Sequence, residues 1–429
     1  MSEDHVQCIV VGGGPAGSAA AFTLAKSGAE VLVLERGKTP GSKNMFGGIL
    51  YSNILNSIIP DFWEKAPLER NVTRQKYSLL TDDTELTLFD IHCGRFKQEP
   101  FNNSFIVSRR KFDEWFAGQA MEEGADYVTG TRVDKVIKDR QGKVIGIESL
   151  GDRLYADVVI LADGANSMLA KQCGLRKRFH PGKIGLGIKE WMALPKGKIE
   201  DRFNLEGGEG ASFKYLGQPV KYAPGGAFIY TNDDSLSVGL IVRLSDIANN
   251  GAKPNDLLEG FKNHPYIKKL LEGGELQEYS AHILPEMGYD YLPEISADGI
   301  LVIGDAAGLV NALFHEGINF AMASGVMAGL TVLEAIRKND YSNNVLKEYR
   351  GKLKESFVLK DMKKVMKFHK LMENNGHFFD NHVKSIVQFA TQMISVTNRS
   401  KEEQISEAWS DLRTDISLLD AFELWGIIR

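Results

Sequence analysis

The amino-acid sequence predicts an α/β protein: a doubly wound domain built from separated pieces of chain, an inserted antiparallel β domain, and a helical C-terminal region. Three observations predict it. A short apolar run at residues 6–11 ends at glycines, passes into a helix rich in small residues, and is followed by a second apolar run at 31–34. That is a βαβ unit closed within about 30 residues. From about residue 176 to 285 glycines and aromatics interleave, strands are short and helical periodicity is weak. The βα pattern then returns at 299–336 as a strand and a long apolar helix. The expected boundaries are 1–75, 105–175 and 286–345 for the discontinuous α/β domain, 76–104 and 176–285 for the β domain, and 346–429 for the helical region.

Each element follows from its own pattern. Val6, Cys8, Ile9, Val10 and Val11 are apolar on both faces, as a buried parallel strand requires. Ala16 to Gly28 reads as a helix that ends at glycine. Residues 41–50 form a glycine-flanked loop, 76–107 strands and turns, and 111–120 a helix. Alternating strands follow at 133–137 and 144–149 around the turn Gln141-Gly142. In the β domain the clearest pair is 226–231 and 236–242, joined by Asn232-Asp233-Asp234-Ser235. The tail from 345 is helical by pattern.

Composition narrows the function. The chain has 429 residues, 43% hydrophobic and 25% charged, enough for two or three domains with a sizeable core. A net charge of −5 argues against a nucleic-acid binder. No run of 18 apolar residues announces a membrane span, and the acidic start Met1-Ser2-Glu3-Asp4 resembles neither a signal nor a transit peptide. The expected place is the cytoplasm, peripheral on the inner face of the cytoplasmic membrane. Cys8, Cys93 and Cys173 are too few and too scattered for an iron–sulfur cluster, and no metal-ligand cluster or nucleophile elbow appears.

Three glycine-centred segments carry the chemistry. Gly12, Gly14 and Gly17 follow the spacing G-x-G-x-x-G between a strand and a helix. That spacing lets bare amides approach a pyrophosphate at a helix N-terminus. Glu35 ends the next strand, where a carboxylate accepts hydrogen bonds from ribose hydroxyls and repels a 2′-phosphate. Ala162-Asp163-Gly164 closes a second apolar strand and puts a polar turn near the adenine half of the ligand. Gly304-Asp305-Ala306-Ala307-Gly308 closes a third; its aspartate either holds a sugar-alcohol hydroxyl, caps a helix, or does both. A helix beginning near Gly317 would point its dipole at the pyrimidine edge of a flavin, with His315 and Glu316 beside it as weak candidates for a proton-transfer role. Arg109, at another helix start, either reaches the cofactor or pairs with Asp113 or Glu114. All three segments in this order point to FAD held along its length, and to chemistry that is the cofactor's own.

The same segments match the glutathione-reductase-type FAD fold in its aromatic-hydroxylase-like branch. More specifically, Lys43-Asn44-Met45-Phe46-Gly47-Gly48, Ile199-Glu200-Asp201-Arg202-Phe203, Gly225 to Asn232, Glu278-Tyr279-Ser280-Ala281-His282 and Gly304 to Gly308 resemble the FixC-type flavoproteins of the electron-transfer-flavoprotein:quinone oxidoreductase family. The likeness runs from about residue 5 to 340. The larger members carry a C-terminal ferredoxin-like part with four cysteine ligands; this tail has no cysteine, as in FixC-type proteins. The resemblance implies a separate small ferredoxin-like iron–sulfur protein and an electron-transfer-flavoprotein heterodimer as partners. It also implies electron transfer to membrane quinone within an NADH-oxidising, electron-bifurcating assembly that reduces ferredoxin or flavodoxin. It places Gly12, Gly14, Gly17 and Glu35 at the ADP half, Arg109 and Asp163 nearby, and Asp305 at the ribityl-phosphate region. The full expected contact set adds Pro15, Ala16, Arg36, Lys43, Gly47, Gly48, Val133, Ala162, Gly164, Gly304, Gly317, Ile318 and Asn319. The alternatives on the same fold are a geranylgeranyl-type prenyl reductase and an NAD(P)H-dependent hydroxylase.

In the tail, residues 347–370 carry nine Lys or Arg against three acids. Tyr349, Leu353, Phe357, Met362, Val365, Met366 and His369 roughly share one side at helical spacing. This stretch is either a basic face over a core stripe or a docking face for an acidic partner or an anionic membrane surface.

Overall fold

The computed structural model describes residues 5–45, 47–176, 181–285, 288–311, 316–374 and 381–416. The chain separates into two units. The first holds residues 1–69, 100–184 and 283–363; the second holds 70–99, 185–282 and 364–429.

The first unit is built on β1 (His5–Val11), β2 (Val31–Glu35), β7 (Asp126–Thr129), β10 (Asp152–Leu161), β16 (Ser296–Ala297) and β17 (Ile300–Val302), ordered β16-β17-β10-β1-β2-β7. The pairs β1–β10, β1–β2, β2–β7 and β10–β17 are parallel, with Cys8 opposite both Val158 and Val31. The strands β8 (Lys135–Lys138) and β9 (Val144–Ser149) extend the sheet from β10 by antiparallel pairs. Strand β3 (Gly48–Tyr51) pairs antiparallel with β6 (Ser104–Val107). Because Cys8–Val11 of β1 and Val158–Leu161 of β10 are buried on both faces, these stretches read as unbroken apolar runs.

Two helices, Pro15–Ala25 and Ile318–Lys338, pack closely. A Cβ on Gly325 would lie 2.2 Å from the Ala16 carbonyl oxygen, and one on Gly329 would lie 2.9 Å from Thr23 Cβ. Glycine at these positions lets the two backbones touch. The Ile318–Lys338 helix is long and apolar enough to cross a membrane by composition, yet 72% of its most apolar stretch is buried in the protein. It is packed as a core helix.

The second unit is a sheet ordered β15 (Glu275–Pro285), β11 (Ile184–Ala193), β14 (Ser235–Arg243), β13 (Gly225–Thr231), β12 (Glu209–Gly217), β4 (Leu68–Leu80), with β5 (Glu85–His92) on β4. The β13–β14 hairpin turns at 232–234, within the expected residues. The expected antiparallel sheet is corrected in one place: β12 and β4 run parallel over Glu209–Gly217 and Asn71–Leu80. β4 arrives from a distant part of the chain, so no tight turn forces it to run antiparallel.

Arg70 organises this unit. It is 1% exposed, and its guanidinium donates to the carbonyl oxygens of Asn232, Glu209 and Asp233 and to Glu200 Oε1 at 2.7–3.2 Å.

The tail is shared rather than separate. Helix Glu348–Glu355 puts Tyr349 and Leu353 into the core of the first unit, joined by Val358, Leu359 and Met362. An extended residue, Ser356, interrupts the expected continuous stripe before Phe357–Asn374. Val365 is also buried. The side chain of His369 lies outside the described residues. Helix Val383–Ile394 then packs Val383 and Val387 on Leu79 of the second unit.

Candidate cofactor site

Strand β1 ends at Val11 and the next helix starts at Pro15, with Gly14 as N-cap and proline at its first position. The turn between them exists because glycine allows it. Gly12 sits at φ +109°, and a Cβ there would stand 2.3 Å from the Ala162 carbonyl oxygen. A Cβ on Gly17 would stand 1.9 Å from the Gly12 carbonyl oxygen. By contrast, a Cβ on Gly14 would meet nothing within 4 Å. The turn is closed on its inner side and open at the helix N-terminus, the geometry that takes a phosphate group. Pro15, Ala16 and Gly17 are buried on the first turn.

Glu35 braces this turn. Its Oε2 accepts from the Gly13 amide at 2.8 Å and its Oε1 from the Gly37 amide at 2.6 Å. A carboxylate has about four acceptor positions, so two remain for ribose hydroxyls. Arg36 and Lys43 are exposed. Val133 is partly buried, two residues beyond Thr131, whose amide donates to the Glu35 carbonyl oxygen at 2.9 Å.

The second segment is joined to the third by a residue that pattern reading overlooks. Arg176 is 5% exposed, and its Nη1 donates to the carbonyl oxygens of Ala165 at 3.2 Å and Ala306 at 2.8 Å. Burial draws its pKa down to about 10, against the opposing pull of Asp163 and Asp305. Asp163 itself is half-buried. Its Oδ2 accepts from the Leu169 amide at 3.2 Å, while its Oδ1 has no hydrogen-bond partner among the described residues. Burial raises its pKa, opposed by backbone hydrogen bonds and by Arg176. Gly164 adopts φ +74° beside it.

Arg109 takes the ion-pair option. Nε donates to Asp113 Oδ1 at 2.9 Å and Nη2 to Oδ2 at 2.8 Å. Burial alone would lower its pKa; Asp113, with Asp305 further off, raises it instead. Asn44 Nδ2 also donates to Asp113, at 2.7 Å, tying the 41–48 loop to this helix. A Cβ on Gly48 would lie 3.4 Å from Ile318 Cδ1 and 3.6 Å from Arg109 Cδ, so these three meet. Gly47 turns the chain at φ +65°.

The third segment departs from a simple strand–helix junction. After β17, residues Gly304–Ala307 make a short 3-10 turn, and the long helix starts only at Ile318, with Gly317 as N-cap. Gly304 sits at φ +57°, its amide donates to Ser324 Oγ at 2.9 Å, and a Cβ there would lie 2.8 Å from Ala16 Cβ. The third segment therefore lies directly against the first. Glu316 is held by two amide groups, from Asn319 Nδ2 at 3.3 Å and Asn311 Nδ2 at 2.8 Å, which favours a structural role. His315 lies outside the described residues. Asn319 Oδ1 is buried with no hydrogen-bond partner among the described residues.

The three glycine segments thus converge: Gly12 on Ala162, Gly304 on Ala16, and Arg176 bridging Ala165 to Ala306. An open helix N-terminus, a braced carboxylate and two buried acceptor oxygens on Asp163 and Asn319 make a donor and acceptor set that a dinucleotide's phosphates and hydroxyls would complete. Among the described residues, Arg36, Lys43 and Val133 add no side-chain hydrogen bond to it.

Residues 7–170 match the family model for FAD dependent oxidoreductases, and residues 184–284 match the model described as ETF-QO, ubiquinone-binding. Over 404 residues the chain is 43% identical to Protein FixC of Escherichia coli O157:H7, covering 94% of this chain and 93% of that one. It is 41% identical, with the same coverage, to the probable electron transfer flavoprotein-quinone oxidoreductase YdiS of Escherichia coli K12. A solved structure of a geranylgeranyl bacteriochlorophyll reductase-like protein from Thermoplasma acidophilum superposes with TM-score 0.73 at 23% identity, over 96% of this chain and 98% of that one. At that identity the likeness concerns the fold.

Proposed function

This chain belongs to the FixC family of electron-transfer-flavoprotein:quinone oxidoreductases and is an FAD-dependent oxidoreductase; we propose that it takes electrons from an electron-transfer-flavoprotein heterodimer and passes them to membrane quinone. The assembly we infer also includes a small separate ferredoxin-like iron–sulfur protein. It oxidises NADH and divides the electrons between quinone and a low-potential ferredoxin or flavodoxin. The observation that supports this reading best is the pairing, in one chain, of an FAD-dependent oxidoreductase match at 7–170 with a quinone-binding match at 184–284. In this reading the protein works at the inner face of the membrane, with the basic stretch 347–370 toward an acidic partner or an anionic lipid surface.

FAD, when bound, supplies the redox chemistry. The chain's own residues hold it. The amides of Gly14, Ala16 and Gly17 at the helix N-terminus would take the pyrophosphate and Glu35 the ribose, with Asp163 near the adenine half and Asp305 at the ribityl-phosphate region. Gly317, Ile318 and Asn319 present a helix N-terminus that favours negative charge on the group beside it. Reduction of a quinone consumes two electrons and two protons and yields a hydroquinone, so the β unit has to hold an acceptor whose oxygens gain negative charge.

The test is reconstitution. The FAD-loaded protein, with the heterodimer and the ferredoxin-like subunit co-purified, should reduce a short-chain quinone when NADH is added, and should not when the heterodimer is left out. Rapid reduction by NADPH alone with oxygen uptake would assign a hydroxylase instead. Saturation of a prenyl double bond would assign the reductase that shares the fold.

A further inference from the structure

In the first unit the turn at 163–167 and the turn at 304–307 follow neighbouring strands. β10 and β17 pair in parallel as far as Leu161 opposite Val302, and the Ile303 amide adds a bond to the Leu161 carbonyl oxygen at 3.0 Å. That ladder ends with the strands. Past it, both turns are irregular backbone from segments far apart in sequence, and strand pairing no longer sets the distance between them.

Arg176 spans this gap. One nitrogen, Nη1, donates to the Ala165 carbonyl oxygen at 3.2 Å and to the Ala306 carbonyl oxygen at 2.8 Å. Asp163, in the first turn, and Asp305, in the second, both pull on its charge. The residue is itself held from both sides. Its amide donates at 3.3 Å to the Ala170 carbonyl oxygen, in the helix Met168–Gln172 that continues the first turn. The carbonyl oxygen before it, of Leu175, accepts from the Glu294 amide at 3.1 Å, just ahead of the strands that lead into the second turn. Two carbonyl oxygens aimed at one point repel each other, and a charged donor between them is what fixes their approach.

An arginine that joins two turns of one ligand site acts on affinity in a particular way. A ligand that reaches both turns binds with the strengths of its two parts combined, multiplied by the effective concentration of the second part once the first is seated. That concentration depends on the spacing of the turns, and a loosened support lowers it. The binding of either part alone does not depend on it. We propose that Arg176 is a positioning residue that sets the spacing of the 163–167 and 304–307 turns, so that one FAD molecule engages both at once. This rests on the FAD reading above, with Asp163 near the adenine half and Asp305 at the ribityl-phosphate region.

The experiment uses the full chain freed of flavin, unaltered and with Arg176→Met or Arg176→Lys. Each is titrated with FAD, with ADP and with riboflavin, the flavins by fluorescence and ADP by calorimetry, and a thermal melt accompanies each. Arg176→Met should weaken FAD binding roughly ten- to hundred-fold, while ADP and riboflavin each change less than about twofold. Arg176→Lys keeps the charge on a shorter side chain and should recover part of the loss. A residue that only stabilised the fold would weaken all three ligands together. One that touched the cofactor would weaken one fragment as much as FAD. Either pattern overturns the proposal, and so does unchanged FAD binding by Arg176→Met. Two formed half-sites should each hold their own fragment, so failure of the unaltered chain to bind ADP or riboflavin at millimolar concentration also overturns it. If Arg176→Met did not fold, Arg176→Lys would decide alone: FAD held as tightly as by the unaltered chain overturns the proposal. Failure of the unaltered chain to bind FAD at all would instead overturn the FAD reading itself.

Discussion

The two units bury charge in different places. In the first, charged groups sit at a strand end and in turns: Glu35 on two glycine amides, half-buried Asp163 on the Leu169 amide, Arg176 across two carbonyl oxygens. In the second they sit in the middle of strands: Arg70 on β4, Lys189 on β11, Lys214 on β12. A turn works through its backbone, and backbone geometry demands particular residues at fixed short spacings. A strand works through side chains that meet across ladders, and their meeting depends on register between distant segments. The first kind of site leaves a motif in the sequence, and the second does not.

The sharpest way to break that contrast is at Gly17. Its Cβ would overlap the Gly12 carbonyl oxygen at 1.9 Å, so Gly17→Val cannot be accommodated without moving the turn. We expect protein without flavin absorbance, and a largely unfolded first unit. If the variant were purified with a full complement of FAD, the turn would not be the binding element, and the first unit would depend on side chains as the second does.

Next in size is Arg70→Met. Removing the guanidinium strands the carbonyl oxygens of Asn232, Glu209 and Asp233, together with Glu200. Breaking one partner out of a buried charged network costs about 3 kcal/mol or more. Calorimetry should show the loss as a lowered transition of the second unit, with flavin content unchanged. Loss of flavin at the same substitution would mean that the two units do not fail separately.

A smaller effect is expected for Glu35→Gln. The amide keeps the shape but loses one acceptor oxygen and the negative charge. One of the two amide contacts then becomes donor against donor. FAD affinity should fall roughly tenfold or somewhat more, the value of one charge-assisted hydrogen bond. Titration of the flavin-free protein with FAD measures it.

These cases also show what was readable beforehand. The three glycine segments, the 226–231 and 236–242 pair and the helix near Gly317 could be read because their signals are local. Arg176 could not: nothing in its neighbourhood says that it will reach Ala306, 130 residues away. Its only cue is an arginine soon after an Asp-Gly turn. The row Lys189–Phe228–Lys214 across the second sheet was equally hidden. Each lysine alternates with apolar residues in an ordinary strand pattern, and only the pairing of β11, β14, β13 and β12 brings them to one face. At Gly304-Asp305 the sequence leaves a helix cap and a hydroxyl-binding turn both open. The chain makes a short turn first, which sets Gly304 against Ala16.

The finest test of the contrast is acid. Burial pushes Glu209 up, but the Glu206 amide, Lys97 and His92 pull its pKa down to about 2 from an ordinary 4.5. A carboxylate held low gives stability that is complete above its ordinary value and lost as pH falls toward its folded one. Asp163 is held above its ordinary value by burial, so its ionisation costs stability at neutral pH and acid relieves that cost. Lowering the pH from about 5 toward about 2 should therefore weaken the second unit through Glu209, while Asp163 moves the first the other way. In flavin-free protein, Glu209→Gln should flatten the acid decline of the second unit's transition, an effect of a few degrees. Asp163→Asn should remove the opposing gain of the first. If both substitutions shifted one common transition by equal amounts, the two units would melt together. The difference in how they bury charge would then have no separate consequence for stability.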